Sequence, residues 1–327
     1  MSSARISVAL CTYNGSSHLS EQLQSLSAQT RKPDELVVFD DASTDQSGEI
    51  LRRFAVDAPF PVRLYINAET LGVSRNFSQA IEACDGEIIA LCDQDDVWLP
   101  EKLSLIEAAF VREPKLGFVF TDAKICDEQF RLLDYRLWDS VVFTNRLRRQ
   151  VRQGRAFEAT VRYNFVTGAT MAFASRYRPL VLPIDSNWVH DGWIALLISA
   201  VAPVAAMEEP TILYRQHASQ SIGAPPPRSL YQQFLNVKKL KRDVFLDEAR
   251  MFQAAQDRLM SIGPAAGLAV DKAVLQLLRE KIAHCLKRSA IRRGECGRVL
   301  PSLGEFLSFR YHRFSLGWKS LAQDLFL

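Results

Sequence analysis

The sequence lacks the cysteine pairs and the long apolar runs that mark disulfide-bonded or membrane-spanning proteins. Its six cysteines are scattered over 327 residues without a CxxC pair, so no disulfide framework is expected. The apolar run Ile6–Cys11 is too short for a signal-peptide core, and the stretch Trp193–Met207 is interrupted by Ser199 and Pro203. We therefore expect a chain kept in the reducing cytoplasm, without a transmembrane helix.

Low-complexity tracts and strict repeats are also absent, and 48% hydrophobic with 24% charged residues is typical of a globular chain. The net charge of +3 hides an asymmetry. From Arg228 onward there are 18 Lys and Arg against nine Asp and Glu, whereas the remainder has 22 against 28. This distribution predicts metal and substrate chemistry in the acidic front and an anionic partner for the basic region.

Apolar runs alternate with amphipathic stretches through the first 125 residues. Five runs rich in Val, Ile and Leu are predicted to be buried strands: Ile6–Cys11, Leu36–Phe39, Val62–Ile66, Ile88–Cys92 and Gly117–Phe120. The stretches between them carry apolar residues at helical spacing. The pattern indicates an α/β fold with a mostly parallel sheet flanked by helices, and a ligand site beyond the carboxyl ends of the strands.

The later segments are less uniform. Residues Phe130–Arg162 show no clean period and are predicted to be an irregular excursion on the acceptor side. Regular structure is then expected as a strand interrupted by Gly168 (Phe165–Phe173), an apolar helix (His190–Ala200), a strand pair (Val204–Met207 and Thr211–Tyr214), and helical patterns at Leu230–Leu259 and Leu275–Ile291.

Polar side chains follow three successive strands. Thr12-Tyr13-Asn14-Gly15 comes after the first, Asp40–Asp45 after the second and Asp93–Asp96 after the fourth. The last segment has three carboxylates in four residues, which suits Mg²⁺ or Mn²⁺, and such an ion can bridge phosphate oxygens. The alternative is a solvated acidic turn in which Asp96 caps the helix that starts near Pro100. The adjacent carboxylates Asp40 and Asp41 indicate recognition of a base edge or a ribose hydroxyl.

This ordered set of motifs resembles the inverting family 2 glycosyltransferases with the GT-A fold. The matching segments are Cys11-Thr12-Tyr13-Asn14-Gly15, the D-D-[GA]-S-x-D segment Asp40–Asp45, the L-G-x-x-x-N segment Leu71–Asn76, the D-x-D site Asp93-Gln94-Asp95, and Trp98-Pro100-Lys102. The resemblance covers roughly residues 5 to 220, and several motifs in register are more specific than one alone. It implies a Rossmann-like GT-A domain followed by a helical region, and an enzyme that moves a sugar from a nucleotide-diphosphate donor to a hydroxyl.

The resemblance also implies which residues form the site. Six would bind the nucleotide: Thr12, Tyr13 and Asn14 lining its pocket, Asp41 on the pyrimidine base with Asp40 supporting it, and Arg75 near the base or diphosphate. Asp93 would contact the ribose or the metal, and Asp95 would bind the metal directly. Asp191, in His190-Asp191-Gly192-Trp193, matches the position of the catalytic base.

Chemistry independently supports a carboxylate such as Asp191. Inversion at an anomeric carbon requires a base that deprotonates the acceptor hydroxyl on the face opposite the leaving diphosphate. A metal ion stabilises the charge that develops on that leaving group. Without the resemblance, Asp191 would be interpreted as an acidic residue that stabilises a helix N-terminus.

Tyr214-Arg215-Gln216-His217 follows a strand that is expected to return to the same edge of the sheet. His217 is either a further metal ligand, as in some GT-A enzymes, or an ordinary hydrogen-bonded surface histidine. Arg215 is expected to face the diphosphate, because guanidinium suits phosphate oxygens.

The Q-x-x-R-W motif and the transmembrane helices of processive synthases are missing, which indicates addition of a single sugar. The RQH ending and the HD-x-W motif resemble rhamnosyltransferase-type members that build bacterial O-antigen or related surface glycans. The implied donor is a deoxythymidine-diphosphate sugar or, alternatively, a uridine-diphosphate sugar. The implied acceptor is a glycan or a lipid-linked glycan. A homo-oligomer stays open, and no nucleic-acid partner is expected.

A nucleotidyltransferase and a non-catalytic binding module are the alternatives to a glycosyltransferase. A nucleotidyltransferase would need a Gly-rich, Arg-containing loop after the first strand, and Cys11–Gly15 is not such a loop. A non-catalytic nucleotide-sugar or carbohydrate-binding module would not need Asp191.

The three prolines Pro225–Pro227 mark the predicted domain boundary. We expect a catalytic domain over 1–224, with a nucleotide-sugar half of about 1–125 and an acceptor half of about 126–224, and a basic helical region over 225–327. The segment Leu303–Leu327 interleaves aromatic and cationic residues. This pattern predicts a peripheral position on the inner, cytoplasmic face of the cell membrane.

Overall fold

The computed structural model describes residues 4–218, 220, 223–226, 243–265 and 267–326, with only the backbone at Pro264. They belong to two compact units, Met1–Ala156 with Phe165–Pro226, and Phe157–Asn164 with Pro227–Leu327. Pro227 and residues 230–242 of the predicted helical pattern lie outside the described residues. All six cysteines are free. None of the described helices is both long enough and apolar enough to cross a membrane.

Among the described residues, nine strands form the sheet of the first unit. They are β1 (Ile6–Thr12), β2 (Glu35–Asp40), β3 (Val62–Ile66), β4 (Ile88–Cys92), β5 (Val97–Trp98), β6 (Phe118–Cys126), β7 (Leu132–Arg136), β8 (Met171–Ala174) and β9 (Val204–Arg215). The order is β3-β2-β1-β4-β8-β6-β9-β5, with β7 beside β6. Strands β1 to β4 are mutually parallel, as are β6 and β9, whereas β8 is antiparallel to β4 and β6.

Burial explains the core of this sheet. Strands β1, β2 and β4 are almost entirely buried, as expected for parallel strands with both faces covered. The helices of this part of the chain are α1 (Leu19–Ser27), α2 (Ser47–Asp57), α3 (Val73–Ala83), α4 (Lys102–Arg112), α5 (Leu137–Ser140), α6 (Asn145–Arg152), α7 (Ala156–Arg162), α8 (Arg178–Val181) and α9 (His190–Ser199). Helix α3 buries Phe77, Ala80 and Ile81 on one stripe and packs on β1 and β2. The predicted fold class, with a mostly parallel sheet flanked by helices, is confirmed.

Three predictions of local structure were wrong. The segment Phe130–Arg162 is not irregular but contains β7, α5, α6 and α7, which are too short to show a clear period. Of the next predicted strand, only residues 171–173 are extended; they belong to β8 and follow a 3₁₀ turn at Gly168–Thr170. The predicted strand pair is one strand, β9, which passes through Pro210 at a register shift against β6, where no regular ladder bond is required.

The second unit is helical where it is described. Beyond residue 242 its helices are α10 (Val244–Ala265), α11 (Lys272–Arg293), α12 (Val299–Leu307), α13 (Arg310–Phe314) and α14 (Trp318–Phe326). Asp271 caps the N-terminus of helix α11, because its side chain accepts from the Ala273 N–H. Gly294, in the left-handed conformation, caps the C-terminus. The buried pair Arg288–Asp324 joins α11 to α14, and the Tyr311 hydroxyl donates to the same carboxylate.

Candidate active site

The carboxyl ends of β1, β2 and β4 place the sequence motifs at one edge of the sheet. Thr12 pairs with Asp40 in the parallel register, and Leu10 pairs with Cys92, the residue before Asp93. The Thr12 hydroxyl donates to Asp40 Oδ2 over 2.7 Å. The topology therefore brings together motifs that are more than eighty residues apart in the chain.

The two carboxylates after β2 organise the neighbouring loops. Asp40 also accepts from the backbone N–H and the hydroxyl of Ser43, at 2.9 and 2.7 Å. Asp41 accepts from the Asn67 amide and from the backbone N–H groups of Leu71 and Gly72, each at 2.8 Å. Both side chains are buried. Asp41 thus ties the Leu71–Asn76 segment to the end of β2, and its contact with a nucleotide base stays a prediction.

Gln94, the middle residue of the D-x-D site, holds the loop after β1. Its side-chain oxygen accepts from the Tyr13 N–H over 2.8 Å, and its amide nitrogen donates to the Tyr13 carbonyl over 3.0 Å. A Cβ on Gly15 would lie 2.1 Å from the Gln94 side-chain oxygen, so this pairing requires glycine. Asn14 has a φ of 46° and accepts from the Thr44 N–H. Tyr13 is half exposed above this loop. The contact of Gln94 with the Tyr13 backbone could not be predicted from the sequence, because the two residues are 81 positions apart.

The acidic segment after β4 carries more negative charge than its surroundings offset. Burial raises the pKa of Asp93 to about 7, and Asp95 and Asp191 add to this effect. Burial also raises the pKa of Asp96 well above its usual value, and Asp96 Oδ2 is buried without a hydrogen-bond partner among the described residues. Asp96 accepts from the Arg215 N–H, and α4 is preceded by Glu101, so the predicted capping role of Asp96 was wrong.

Lys102 provides the nearby buried cation. Its ammonium lies 3.9 Å from the centre of the Trp98 ring and donates to the Ala169 carbonyl. Burial lowers the Lys102 pKa to about 8, whereas Asp96 and Asp93 act in the opposite direction. In the sequence, Lys102 is only the last residue of the Trp98-Pro100-Lys102 motif, and nothing there shows that its ammonium is buried beside Asp93.

Asp95 and His217 meet directly. Asp95 Oδ2 lies 2.9 Å from His217 Nε2, and both side chains are largely buried. The His217 ring also contacts the His18 ring, with centroids 4.5 Å apart. Within the described residues, no group of three or more His, Cys, Asp or Glu side chains is arranged to enclose a metal ion. The predicted ligands Asp95 and His217 are adjacent. The third predicted ligand, Asp93, is close enough to Asp95 for the charge of Asp95 to raise its pKa.

Arg215 is held by contacts with other protein groups. Its guanidinium forms an ion pair with Glu21 at 2.5 Å, donates to the Asp95 carbonyl at 2.9 Å and stacks over the Phe130 ring. These contacts bury Arg215 and leave its planar group occupied by protein atoms. These contacts tie Arg215 to the backbone of Asp95, and its approach to a diphosphate stays a prediction.

Asp191 lies at the N-terminus of α9. Its carboxylate accepts from the Gly168 N–H at 3.2 Å and from the Gly192 N–H at 2.5 Å. The preceding residue, His190, is buried, and its ring stacks on Phe77 with centroids 4.0 Å apart. Two backbone donors and a packed neighbour therefore fix the position of this carboxylate.

Tyr214 shows that the acidic residues converge. Burial raises the pKa of its hydroxyl, and the charges of Asp96, Asp93, Asp95 and Asp191 raise it further. Carboxylates from the D-x-D segment and from α9 thus act on one buried side chain. Arg75 is exposed in the first turn of α3, and among the described residues none is hydrogen-bonded or ion-paired with its guanidinium.

Gly168→Ala is expected to displace Asp191. The new Cβ would lie 2.4 Å from His190 Nε2, and the His190 ring is held against Phe77. We expect a loss of stability of about 1–3 kcal/mol and a fall in kcat of about 10²-fold, because small misplacements of a reacting group are costly. Urea unfolding and transfer kinetics measure the two effects.

A second substitution tests the cause. His190→Ala in the Gly168→Ala background removes the clash. The double variant is therefore expected to be nearly as stable as the His190→Ala single variant. Gly48→Ala is the matched control, because the nearest atom to its Cβ would be at an ordinary 3.5 Å. If the double variant lost as much free energy of unfolding as the two single variants together, the proposed clash would be contradicted.

Comparisons with known proteins show the family of this chain. Residues 7–173 match the family Glycosyl transferase family 2, and the chain belongs to that family. It is 28% identical over 221 residues to an uncharacterized glycosyltransferase of Nostoc sp., a match that covers 66% of each chain. It is also 28% identical over 130 residues to the putative teichuronic acid biosynthesis glycosyltransferase TuaG of Bacillus subtilis, covering 39% of this chain and 50% of the relative. The chain spans 59 to 66% of the length of the first curated relatives that it matches.

Solved structures share the fold. The crystal structure of S. aureus TarS in complex with UDP-GlcNAc superposes with a TM-score of 0.53 at 16% identity, covering 94% of this chain and 77% of that one. The mannosyltransferase PcManGT from Pyrobaculum calidifontis, in complex with GDP-Man and Mn²⁺, gives 0.52 at 17% identity, covering 99% and 86%. At these identities the likeness shows the fold alone.

Proposed function

We propose that this chain transfers a sugar, with inversion, from a nucleotide-diphosphate donor to a hydroxyl of a glycan or lipid-linked glycan. The observation that carries the proposal is the arrangement at the carboxyl edge of the sheet, where Asp95 contacts His217 and the Gly168–Ala169 backbone contacts both Asp191 and the buried Lys102. Ligands of open α/β sheets bind at this edge. Membership of Glycosyl transferase family 2 supports the reaction class.

The nucleotide half of the site is the set of loops after β1, β2 and β3. Thr12, Tyr13 and Asn14 line it, and the carboxylates Asp40 and Asp41 shape it through the hydrogen bonds described above. The exposed Arg75 is placed in the first turn of α3, where a guanidinium can reach phosphate or base oxygens. Structures with the same fold contain UDP-GlcNAc and GDP-Man, which supports a nucleotide-sugar donor.

A divalent cation fits the donor atoms near Asp95. Asp95 Oδ2 and His217 Nε2 face each other, and Asp93 adds a buried carboxylate whose charge no adjacent cation fully offsets. Mg²⁺ is commonly held by one or two carboxylates together with substrate phosphates rather than by an enclosed protein cage. When bound, the cation supplies Lewis-acid stabilisation for the leaving diphosphate. Mn²⁺ also fits this site, because carboxylate and water oxygens suit Mn²⁺ as they suit Mg²⁺.

Asp191 acts as the base in this proposal. The N–H groups of Gly168 and Gly192 hold its carboxylate at the helix N-terminus, so it is oriented before an acceptor arrives. The acceptor hydroxyl gives its proton to a carboxylate oxygen of Asp191 while its own oxygen bonds to the anomeric carbon. The bond from that carbon to the diphosphate breaks on the opposite face, which inverts the configuration.

The sugar and the acceptor are proposed at a finer level. The HD-x-W and RQH motifs favour a deoxysugar such as rhamnose, carried by deoxythymidine or uridine diphosphate, and addition to an O-antigen or another surface polysaccharide. The relative TuaG, whose name refers to teichuronic acid biosynthesis, supports a polysaccharide acceptor.

A panel of nucleotide sugars tests the function. The full chain is incubated with each donor, Mn²⁺ or Mg²⁺ and a glycan acceptor, and the released nucleoside diphosphate is measured. Release with one donor, dependent on acceptor, is the expected result. Donor binding without any release across the panel would instead identify a non-catalytic nucleotide-sugar-binding module.

A further inference from the structure

Helix α12 of the second unit is amphipathic in the reverse sense. Its buried side chains are polar, Ser302 at 0% and Glu305 at 6% exposure, whereas its exposed side chains are apolar. The exposed stripe has the helical spacing i, i+1, i+4 and i+8 and consists of Val299, Leu300, Leu303 and Leu307. Leu300 and Leu307 are 82% and 75% exposed. A helix that faces water normally presents the opposite pattern.

The apolar surface continues beyond α12. Phe309, Leu316, Trp318 and Phe326 are all exposed, and Phe309 is 72% accessible. Together with the stripe of α12 they form what we call the apolar ridge: Val299, Leu300, Leu303, Leu307, Phe309, Leu316, Trp318 and Phe326. The Trp318 ring lies 4.4 Å from the ring of Phe306 in α12, so exposed apolar side chains of neighbouring helices lie side by side, as they do at interaction sites.

Phe309 adds backbone strain to exposure. Its φ of 58° lies in the left-handed region, which costs a β-carbon-bearing residue free energy. Glycine or asparagine would adopt this conformation more readily. The strained position therefore presents an aromatic side chain that stays largely exposed, although its ring lies 6.2 Å from that of His312.

The exposed charged side chains between Arg298 and Phe326 are basic. From Arg298 to Phe326 the acidic residues are Glu305 and Asp324, and both are buried in pairs with His284 and Arg288. The basic residues Arg298, Arg313 and Lys319 are exposed, and Arg313 forms an ion pair with Glu280 of α11 at 2.6 Å, so we define the basic rim as Arg298 and Lys319. The surface thus combines apolar side chains with positive charge, the combination that binds anionic bilayers.

We propose that the apolar ridge and its basic rim dock on the surface of an anionic phospholipid bilayer, with Leu300, Leu307 and Phe309 entering the headgroup region. A second copy of this chain would fit less well, because a two-fold contact would bring the same positive residues together. The proposal is independent of the identity of the sugar donor.

Point substitutions test the ridge better than truncation. Removing residues 303–327 would also remove the buried Tyr311, Phe314 and Asp324, and the second unit would lose part of its core. The informative variant of the full chain is Leu300→Ser with Leu307→Ser and Phe309→Ser. The matched control is Val56→Ser with Val111→Ser, which removes exposed apolar side chains (84% and 61% accessible) from the first unit.

Co-sedimentation is measured with vesicles of phosphatidylcholine alone and with one quarter phosphatidylglycerol. We expect wild-type chain and control to bind the anionic vesicles alike, and the triple variant to bind at least about tenfold more weakly. Arg298→Gln with Lys319→Gln is expected to weaken binding about tenfold on anionic vesicles and hardly at all on neutral ones. High salt should mimic the charge variant.

Three results would overturn the proposal. The first is a wild-type chain that stays in the supernatant with anionic vesicles, and the second is a triple variant that sediments like the control. The third is a wild-type dimer, seen by sedimentation velocity, that the triple variant abolishes while vesicle binding is unchanged. Equal urea midpoints for all variants exclude unfolding as the cause of lost binding.

Discussion

Asp191→Asn is expected to lower kcat by about 10²–10⁴-fold while leaving the affinity for the nucleotide donor within about twofold of wild type. General-base catalysis contributes rate enhancements of this size. The amide keeps the size of the carboxylate and can still accept from one of the N–H groups of Gly168 and Gly192, but it cannot take a proton from the acceptor. Single-turnover transfer and a nucleotide-binding titration separate the two effects.

The matched control for this variant is Asp134→Asn. Asp134 is an exposed carboxylate on β7 of the same unit, and its loss should leave both rate and affinity unchanged. If Asp191→Asn transferred sugar within about threefold of wild type, another group would have to accept the proton, and the proposed mechanism would be wrong.

Asp95→Asn and His217→Ala are each expected to weaken Mn²⁺ binding in the presence of UDP and to reduce transfer by at least about 10²-fold. The two atoms lie 2.9 Å apart, a separation at which both can ligate one ion once the proton between them is released. Loss of Lewis-acid stabilisation amounts to several kcal/mol, and each ~1.4 kcal/mol is tenfold in rate. Electron paramagnetic resonance of free Mn²⁺ measures the binding without relying on activity.

A double-mutant cycle sharpens this result. Because both residues serve one ion, the double variant should bind Mn²⁺ little more weakly than either single variant. His312→Ala, in the second unit, is the control for loss of an imidazole and should have no effect. Full transfer activity in excess chelator would show that the reaction needs no metal ion at this position.

Much of the fold could be predicted from the sequence because its signals are local. The predicted strands at Val62–Ile66 and Ile88–Cys92 coincide with β3 and β4, because apolar runs of this length indicate strands. Strand β4 is buried as predicted, whereas β3, at the edge of the sheet, is half-buried to exposed. The segment around α5 and α6 could not be predicted, because helices of four and eight residues are too short for a clear period. Their formation depends on packing rather than on intrinsic propensity.

The site shows the same division. Motif order alone grouped Thr12, Asp40 and Asp93, since each follows a parallel strand and such strand ends meet at one edge. Gln94, Lys102 and Glu21 were missed as parts of the site because their partners are distant in sequence. Arg215 was predicted to lie near the diphosphate because of its charge, and only the structure shows its ion pair with Glu21.

The sequence by itself determined the α/β class, the family and the order of the polar strand ends, because periodicity and motif spacing are properties of the chain. Tertiary structure alone decided which carboxylates are buried together, which of them contact His217 and Arg215, and that α12 turns its apolar side chains outward. The physical reason is that burial, pairing and exposure depend on residues far apart in the chain. Desolvation and Coulomb interactions follow distances in space, which linear spacing does not encode.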